Sequence, residues 1–317
     1  MTTLHVDSQT MATARFAVSP LAETVAALSL LAGRRLGPTA ASWTARHRAA
    51  AEEVGRDEAG RALLELLART SWFPDFLTPL ALGRSATFAA ELAAVARTPP
   101  EKARDDLATS LGGPMPASLA APDLVPRVTR ILERVWTACV KSDWPRHRAV
   151  LERDIIHRAG LLVTAGWAQA LTGLGPEVRW LGAGRIKVNA YEGAEEHVGR
   201  AQLIFVPCAL GAGWLGLRPP EAYVVVYPAR GVGSPDGPSD GSGADALIGT
   251  SRARLLRSLD TPGTPSQLAA LHGLSLGTVG EHLSILLAAG TVTAARAGRS
   301  VWYSRTALGD ALLAGHV

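Results

Sequence analysis

The sequence predicts an α+β chain in two parts. A helix-rich N-terminal domain with a small antiparallel sheet precedes a shorter C-terminal domain of three helices and a β-hairpin. Three observations predict this. Apolar residues recur at helical spacing from Leu21 to Leu171. Short β-branched and aromatic runs follow Pro176. Residues 231–245, GVGSPDGPSDGSGAD, show no apolar periodicity and read as a flexible linker between domains 1–230 and 246–317. The 317 residues also exceed the ~150 typical of one domain.

In the N-terminal domain, Ala14–Val18 is short and β-like. Ser19 and Pro20 suit the N-cap and first position of a helix over Leu21–Leu31. Further helical patterns cover Trp43–Val54, Glu58–Arg69, Ser85–Arg97, Glu101–Leu111, Leu124–Lys141 and His147–Leu171. Val178–Leu181, Arg185–Ala190, Leu203–Pro207 and Tyr223–Pro228 then read as strands.

In the C-terminal domain, Leu247, Leu255, Leu256 and Leu259 form the stripe of a first helix ending near Asp260. Thr264 caps a second, with Pro265 in its first turn, Leu268 and Leu271 inward, and Gly273 at its end. Ser275 caps a third helix that Gly290 stops. At about 100° per residue, Leu276, Val279, Leu283, Leu286 and Leu287 share its core side. Gly277, Thr278, Glu281, Ser284 and Ile285 lie opposite, flanked by Ser275 and His282. Residues 291–296 and 300–305 alternate around Ala297-Gly298, a hairpin signal, with Arg296 and Arg299 at its tip and Arg305 at its base. Two helices around a Gly turn, then an amphipathic helix face and a basic hairpin, make a winged helix-turn-helix. The third helix is expected in the major groove and the hairpin on the backbone or minor groove. The expected DNA contacts are Ser266, Gln267, Ser275, Gly277, Thr278, Glu281, His282, Ser284, Arg296, Arg299 and Arg305.

Composition is neutral on this point. The net charge is +4, from 32 basic and 28 acidic residues, so affinity for DNA has to come from where the arginines sit. No run reaches the roughly 18 apolar residues of a membrane helix. The first ten residues lack a signal-peptide pattern. Cys139 and Cys208 are too far apart for a CxxC motif and read as buried free thiols. The expected location is the cytoplasm.

The stretch SQLAALHGLSLGTVGEHLSILLAAGTVTAARAGRSVWYSRT resembles the winged helix of ArsR-type bacterial regulators, over roughly the last quarter of the chain. Their recognition helix carries Ser-x-x-Thr-Val-Ser-x-His-Leu, matched here by Ser275 to Leu283, and their wing closes with Gly-Arg-x-x-x-Tyr, matched by Gly298 to Tyr303. Gly280 stands where the family has Ser, and Glu281 puts an acid on the groove side. Leu268–Gly273 has no cysteine, so the family's thiolate metal site does not carry over. RFAVSPLAETVAAL, FPDFLTP, ERDIIHRAGLL and YPARGVG resemble an uncharacterised domain found before such winged helices in actinobacterial regulators. The resemblance implies transcription regulation.

Other chemistry is weaker. Gly211–Gly216, GAGWLG, matches GxGxxG, but Pro219-Pro220 bars the helix a dinucleotide fold needs. Glu152, Asp154, His157 and Arg158 lie together on one helix and read as an ion-paired face or buried polar network, or, through Asp154 and His157, as metal ligands or acid–base groups. Trp144, Asp154, His157, Trp167 and Arg230 are the candidates for a small-molecule site. The expectation is a homodimeric, sequence-specific repressor on an inverted repeat of double-stranded DNA, controlled by a small organic effector. It is not expected to be an enzyme or to hold a metal or cofactor. The alternatives are an enzyme or ligand-binding module with an accessory winged helix, and a protein-interaction adaptor.

Overall fold

A computed structural model describes residues 2–34, 40–70, 72–78, 86–175, 178–188, 195–211, 213–218, 220–230 and 243–314. The chain is α+β and forms two compact units, Met1–Trp144 with Leu161–Gly233, and Pro145–Gly160 with Ser234–Val317.

In chain order the first unit begins β1 (Thr3–His5), α1 (Ser8–Thr13), β2 (Arg15–Phe16), α2 (Pro20–Leu31), α3 (Ala40–Arg46), α4 (Arg48–Arg56) and α5 (Glu58–Arg69). A 3-10 turn (Asp75–Leu77) leads to α6 (Phe88–Ala96), α7 (Pro100–Leu111), α8 (Ala117–Ala120) and α9 (Leu124–Val135), which runs on into a π-turn (Trp136–Val140). α10 (Trp144–Ala170) supplies residues to both units and is interrupted at Gly166, whose φ of 77° is not helical. β3 (Arg179–Gly182), β4 (Arg185–Lys187), β5 (Glu195–His197), β6 (Gln202–Cys208), β7 (Trp214–Arg218) and β8 (Ala222–Pro228) complete the first unit.

The helix α2 is buried along its whole length, so it has no polar face and sits at the centre of the helical layer. The main sheet has the order β2-β6-β8-β7. On one face Ile204, Val206, Val224 and Val226 join the α2 core; on the other Leu203, Phe205, Tyr223, Val225 and Tyr227 join a second core.

Coverage on both faces corrects the expected antiparallel sheet. β2, β6 and β8 run parallel, and only β7 pairs antiparallel with β8. The second sheet, β3-β4-β1-β5, is also mixed, since β1 runs parallel to β5. The continuous apolar runs LIFV and YVVVY are what a sheet buried on both sides requires. The GAGWLG run leads into β7 and not into a helix. A Cβ on Gly216 would lie 2.3 Å from the Thr78 side chain, so close packing explains that glycine.

The second unit contains residues 145–160 of α10, then α11 (Gly243–Ile248), α12 (Thr250–Ser258), α13 (Pro265–His272), α14 (Leu276–Ala288), β9 (Val292–Ala297), β10 (Ser300–Arg305) and α15 (Ala307–Ala314). Leu255, Leu256, Leu259, Leu268, Val279, Leu283, Leu286, Val292 and Leu312 form its core. Two differences from the expected domains stand out. Residues 145–160 belong with this unit and not with the first. Of the expected linker, residues 231–242 lie outside the described residues, and Gly243 to Asp245 begin α11.

Local corrections follow from the same geometry. The first helix of the domain is two, divided at Gly249, whose φ is 80°. That division turns Leu247 away from the stripe, and it is 70% exposed. On α14 the buried arc is only as wide as Val279, Leu283 and Leu286, so Leu276 (56%) and Leu287 (41%) are exposed and not core. The hairpin pairs Ala297 with Ser300, which shifts its two-residue turn by one position to Gly298-Arg299.

A candidate nucleic-acid interface

Within the second unit, α13 starts where its sequence says it should. The Thr264 hydroxyl accepts from the Gln267 N–H, and the Gln267 side chain accepts from the Thr264 N–H, closing a capping box. Its end is set by Gly273, left-handed at φ 64°, with the N–H groups of Gly273 and Leu274 both donating to the Ala269 carbonyl. Two residues later Ser275 caps α14: its hydroxyl accepts from the Thr278 N–H at 3.1 Å and bonds the Thr278 hydroxyl at 2.8 Å. Three residues thus join α13 to α14, short enough to hold the two helices at a fixed turn.

With Val279, Leu283 and Leu286 buried, α14 turns Gly277, Glu281, Ser284, Ile285 and Ala288 outward. Three of these five are Gly, Ser or Ala, so the helix backbone is unscreened by long side chains on that side. Thr278 is half-buried and committed to Ser275. His282 is half-buried, and its Nδ1 has no hydrogen-bond partner among the described residues.

After α14, Gly290 turns the chain at φ 70° into the hairpin. β9 and β10 pair over six positions, from Val292 with Arg305 to Ala297 with Ser300. The hairpin is tied to the loop before α13 by two hydrogen bonds between Gly263 and Tyr303, 3.0 and 2.9 Å long. At its far end Arg296 and Arg299 are exposed, and neither has an ion pair among the described residues.

Several expected contact residues are engaged inside the unit. Arg305 donates to Asp310 and to the carbonyls of Leu256 and Arg257. Gln267, besides its cap, donates to the Glu152 carboxylate at 2.8 Å. Ser266 is exposed at the start of α13.

Arg153 and Glu152 help hold this unit together through partners far away in the sequence. Arg153 on α10 donates to the carbonyls of Ser258 and Thr261 and pairs with Asp260 at 3.0 Å. With Arg305, it brings a second guanidinium to the C-terminal end of α12, where the last carbonyls and the negative end of the helix dipole favour a cation. Glu152 joins Arg148 and Gln267, each at 2.8 Å. A charged segment at helical spacing was visible in the sequence; its partners more than 100 residues away were not.

The five small-molecule candidates are not gathered into one site. Asp154 and His157 lie in the second unit; Trp144, Trp167 and Arg230 lie in the first. Asp154 is buried and pairs with the equally buried Arg158 at 2.9 Å, the ion-paired alternative read from their spacing. His157 is half-buried. Trp144 packs edge-on against Trp136 in the α2 core, whereas Trp167 packs on Phe16 and Phe205 in the other core. Arg230 is exposed. Among the described residues, no group of three or more His, Cys, Asp or Glu is placed to hold a metal. Neither Cys139 nor Cys208 is in a disulfide among the described residues; both are buried, and burial pushes the Cys139 thiol up to about 11.

No protein-family model, curated protein or solved structure matches this chain. No described helix is long and apolar enough to cross a membrane.

Proposed function

We propose that the second unit is a winged helix-turn-helix and that the protein is a sequence-specific regulator of transcription that binds double-stranded DNA. The observation that carries this reading is the pairing of one helix with one hairpin. Among the described residues, α14 leaves a whole face uncovered by its own unit, and the hairpin that follows it ends in two arginines without acidic partners. Small side chains on that face favour close approach to base edges, and the free arginines favour phosphate contacts. Arg153, Glu152 and Arg305 support the reading indirectly, because they hold the α12–α13 turn from which both parts project. Two copies on an inverted repeat is the arrangement proposed, since the symmetry of a dimer is mirrored in its site. Repression under the control of a small organic effector remains part of the proposal.

A second reading has one observation in its favour. α14 contains no lysine or arginine, and Leu276, Ile285 and Leu287 are exposed on it. Such a face suits a protein partner. One experiment separates the two: selection from a random pool of duplexes with the full chain at low salt. Enrichment of an inverted repeat is the expected result. Recovery of no preferred duplex overturns the DNA reading and favours the protein partner.

A further inference from the structure

The exposed face of α14 holds a single charged side chain, and it is acidic. Glu281 lies at mid-helix, with Gly277 one turn before it and Ser284 and Ile285 one turn after. Its carboxylate has no ion pair or hydrogen bond among the described residues. An unpaired carboxylate is a poor fit to a groove lined by phosphates unless a donor meets it there.

We propose that Glu281 determines base specificity by accepting a hydrogen bond from the exocyclic amino group of a cytosine in the major groove. This rests on the duplex-binding reading and deepens it. The major groove offers only two such donors, cytosine N4 and adenine N6. Beside adenine N6 stands N7, an acceptor, which repels the second carboxylate oxygen. Cytosine has no ring acceptor beside its amino group on that edge. Guanine and thymine present acceptors that a carboxylate cannot use. The neighbours agree with this assignment. Gly277 adds no side chain that would lift the helix off the groove floor, and Ile285 offers apolar contact for a thymine methyl group one turn away. The carboxylate therefore acts chiefly by exclusion. It weakens binding to every duplex and gives that affinity back only where the amino group is present.

The test is selection from a random duplex pool with the full wild-type chain, Glu281→Gln and Glu281→Ala. Affinities are then measured on the selected duplex and on versions changed at one position. Glu281 is exposed, so neither variant disturbs the core. The wild type should enrich cytosine at one position of each half-site and discriminate against the other bases by roughly 5- to 150-fold. Glu281→Gln should move that position to adenine, because an amide pairs with N6 and N7 together. Glu281→Ala should make the position degenerate and bind unrelated duplexes more tightly than the wild type does. Identical base preferences in the wild type and Glu281→Gln would overturn the inference and leave duplex binding standing. If the wild type enriches no duplex, both fall.

Discussion

Gln267 donates a 2.8 Å hydrogen bond to Glu152, a residue 115 positions earlier in the chain. The same Gln267 closes the capping box of α13, and the residue next to Glu152, Arg153, caps the end of α12. A segment of α10 is therefore part of the unit that carries the candidate interface. Arg153→Ala should cost about 1.5–3 kcal/mol, as expected for the loss of hydrogen bonds from a charged group. Glu152→Ala should cost about 1 kcal/mol, because the Thr264 half of the cap survives. Calorimetry of the full chain measures both. Arg146, exposed on the same helix, is the control, and an Arg153→Ala chain no less stable than Arg146→Ala contradicts the role given to Arg153.

The Asp154–Arg158 pair is buried at both ends. Removing Asp154 takes the ion pair away from the buried Arg158 guanidinium, so Asp154→Ala should destabilise by about 3–5 kcal/mol. Asp154→Leu combined with Arg158→Met should recover most of that loss, because no charge is left behind. Denaturant unfolding decides it. A double variant as unstable as the single one contradicts a simple ion pair.

Gly273 ends α13 in the left-handed region. Gly273→Ala should cost about 1–2 kcal/mol, since a Cβ is disfavoured at that φ. Nothing lies within 4 Å of the added carbon, so the loss comes from backbone conformation and not from a clash. Gly280→Ala, also uncrowded but in mid-helix, should instead stabilise by up to about 1 kcal/mol. Opposite signs for the two glycines are the expected thermal-unfolding result; equal shifts contradict it.

These elements show what the sequence could and could not reveal. Caps and glycine stops act within four residues, so Ser19, Thr264, Gly273 and Ser275 were legible, and α5 begins and ends where its pattern does. The hairpin was legible to within one residue of its turn. Strand direction was not. Apolar runs reveal burial on both faces but not which neighbour lies on each side, so β2, β6 and β8 were read as antiparallel. Nor was the role of α10 in the second unit, because a contact such as Arg153 with Thr261 spans 108 residues and leaves no local pattern. At the candidate interface Gly277, Glu281, Ser284 and Ile285 were legible as outward from the period of α14, but Leu276 and Leu287 were not and Thr278 is half-buried. The engagement of Gln267 and Arg305 was not legible, since a polar side chain reads alike whether its partner is a helix end or a base.

In the first unit, burial pushes the Glu91 carboxyl up to about 7, although the Leu21 N–H and the Ser19 hydroxyl both donate to it. Burial, with Asp106 nearby, pushes Asp75 up to about 6. Both values lie above those of an unfolded chain, about 4. The folded state therefore holds these protons more tightly. Their contribution to stability is full below about pH 4 and is lost as pH rises through 6 and 7. The Tm should fall between pH 5 and pH 8. Glu91→Gln, which needs no proton, should flatten that fall and melt higher than the wild type at pH 8. A variant with the wild-type pH profile contradicts the assignment.

On the proposed reading, the second unit grips duplex DNA with its hairpin arginines beside α14. The most direct measurement is the affinity of the full chain and of Arg296→Ala/Arg299→Ala for one selected duplex, followed across salt concentration. Each lost phosphate contact lowers the slope of log affinity against log salt by about 0.9. The double variant should bind more weakly at every salt concentration, with a slope smaller by roughly two per bound copy. Equal affinity and equal slope in the two proteins would contradict it.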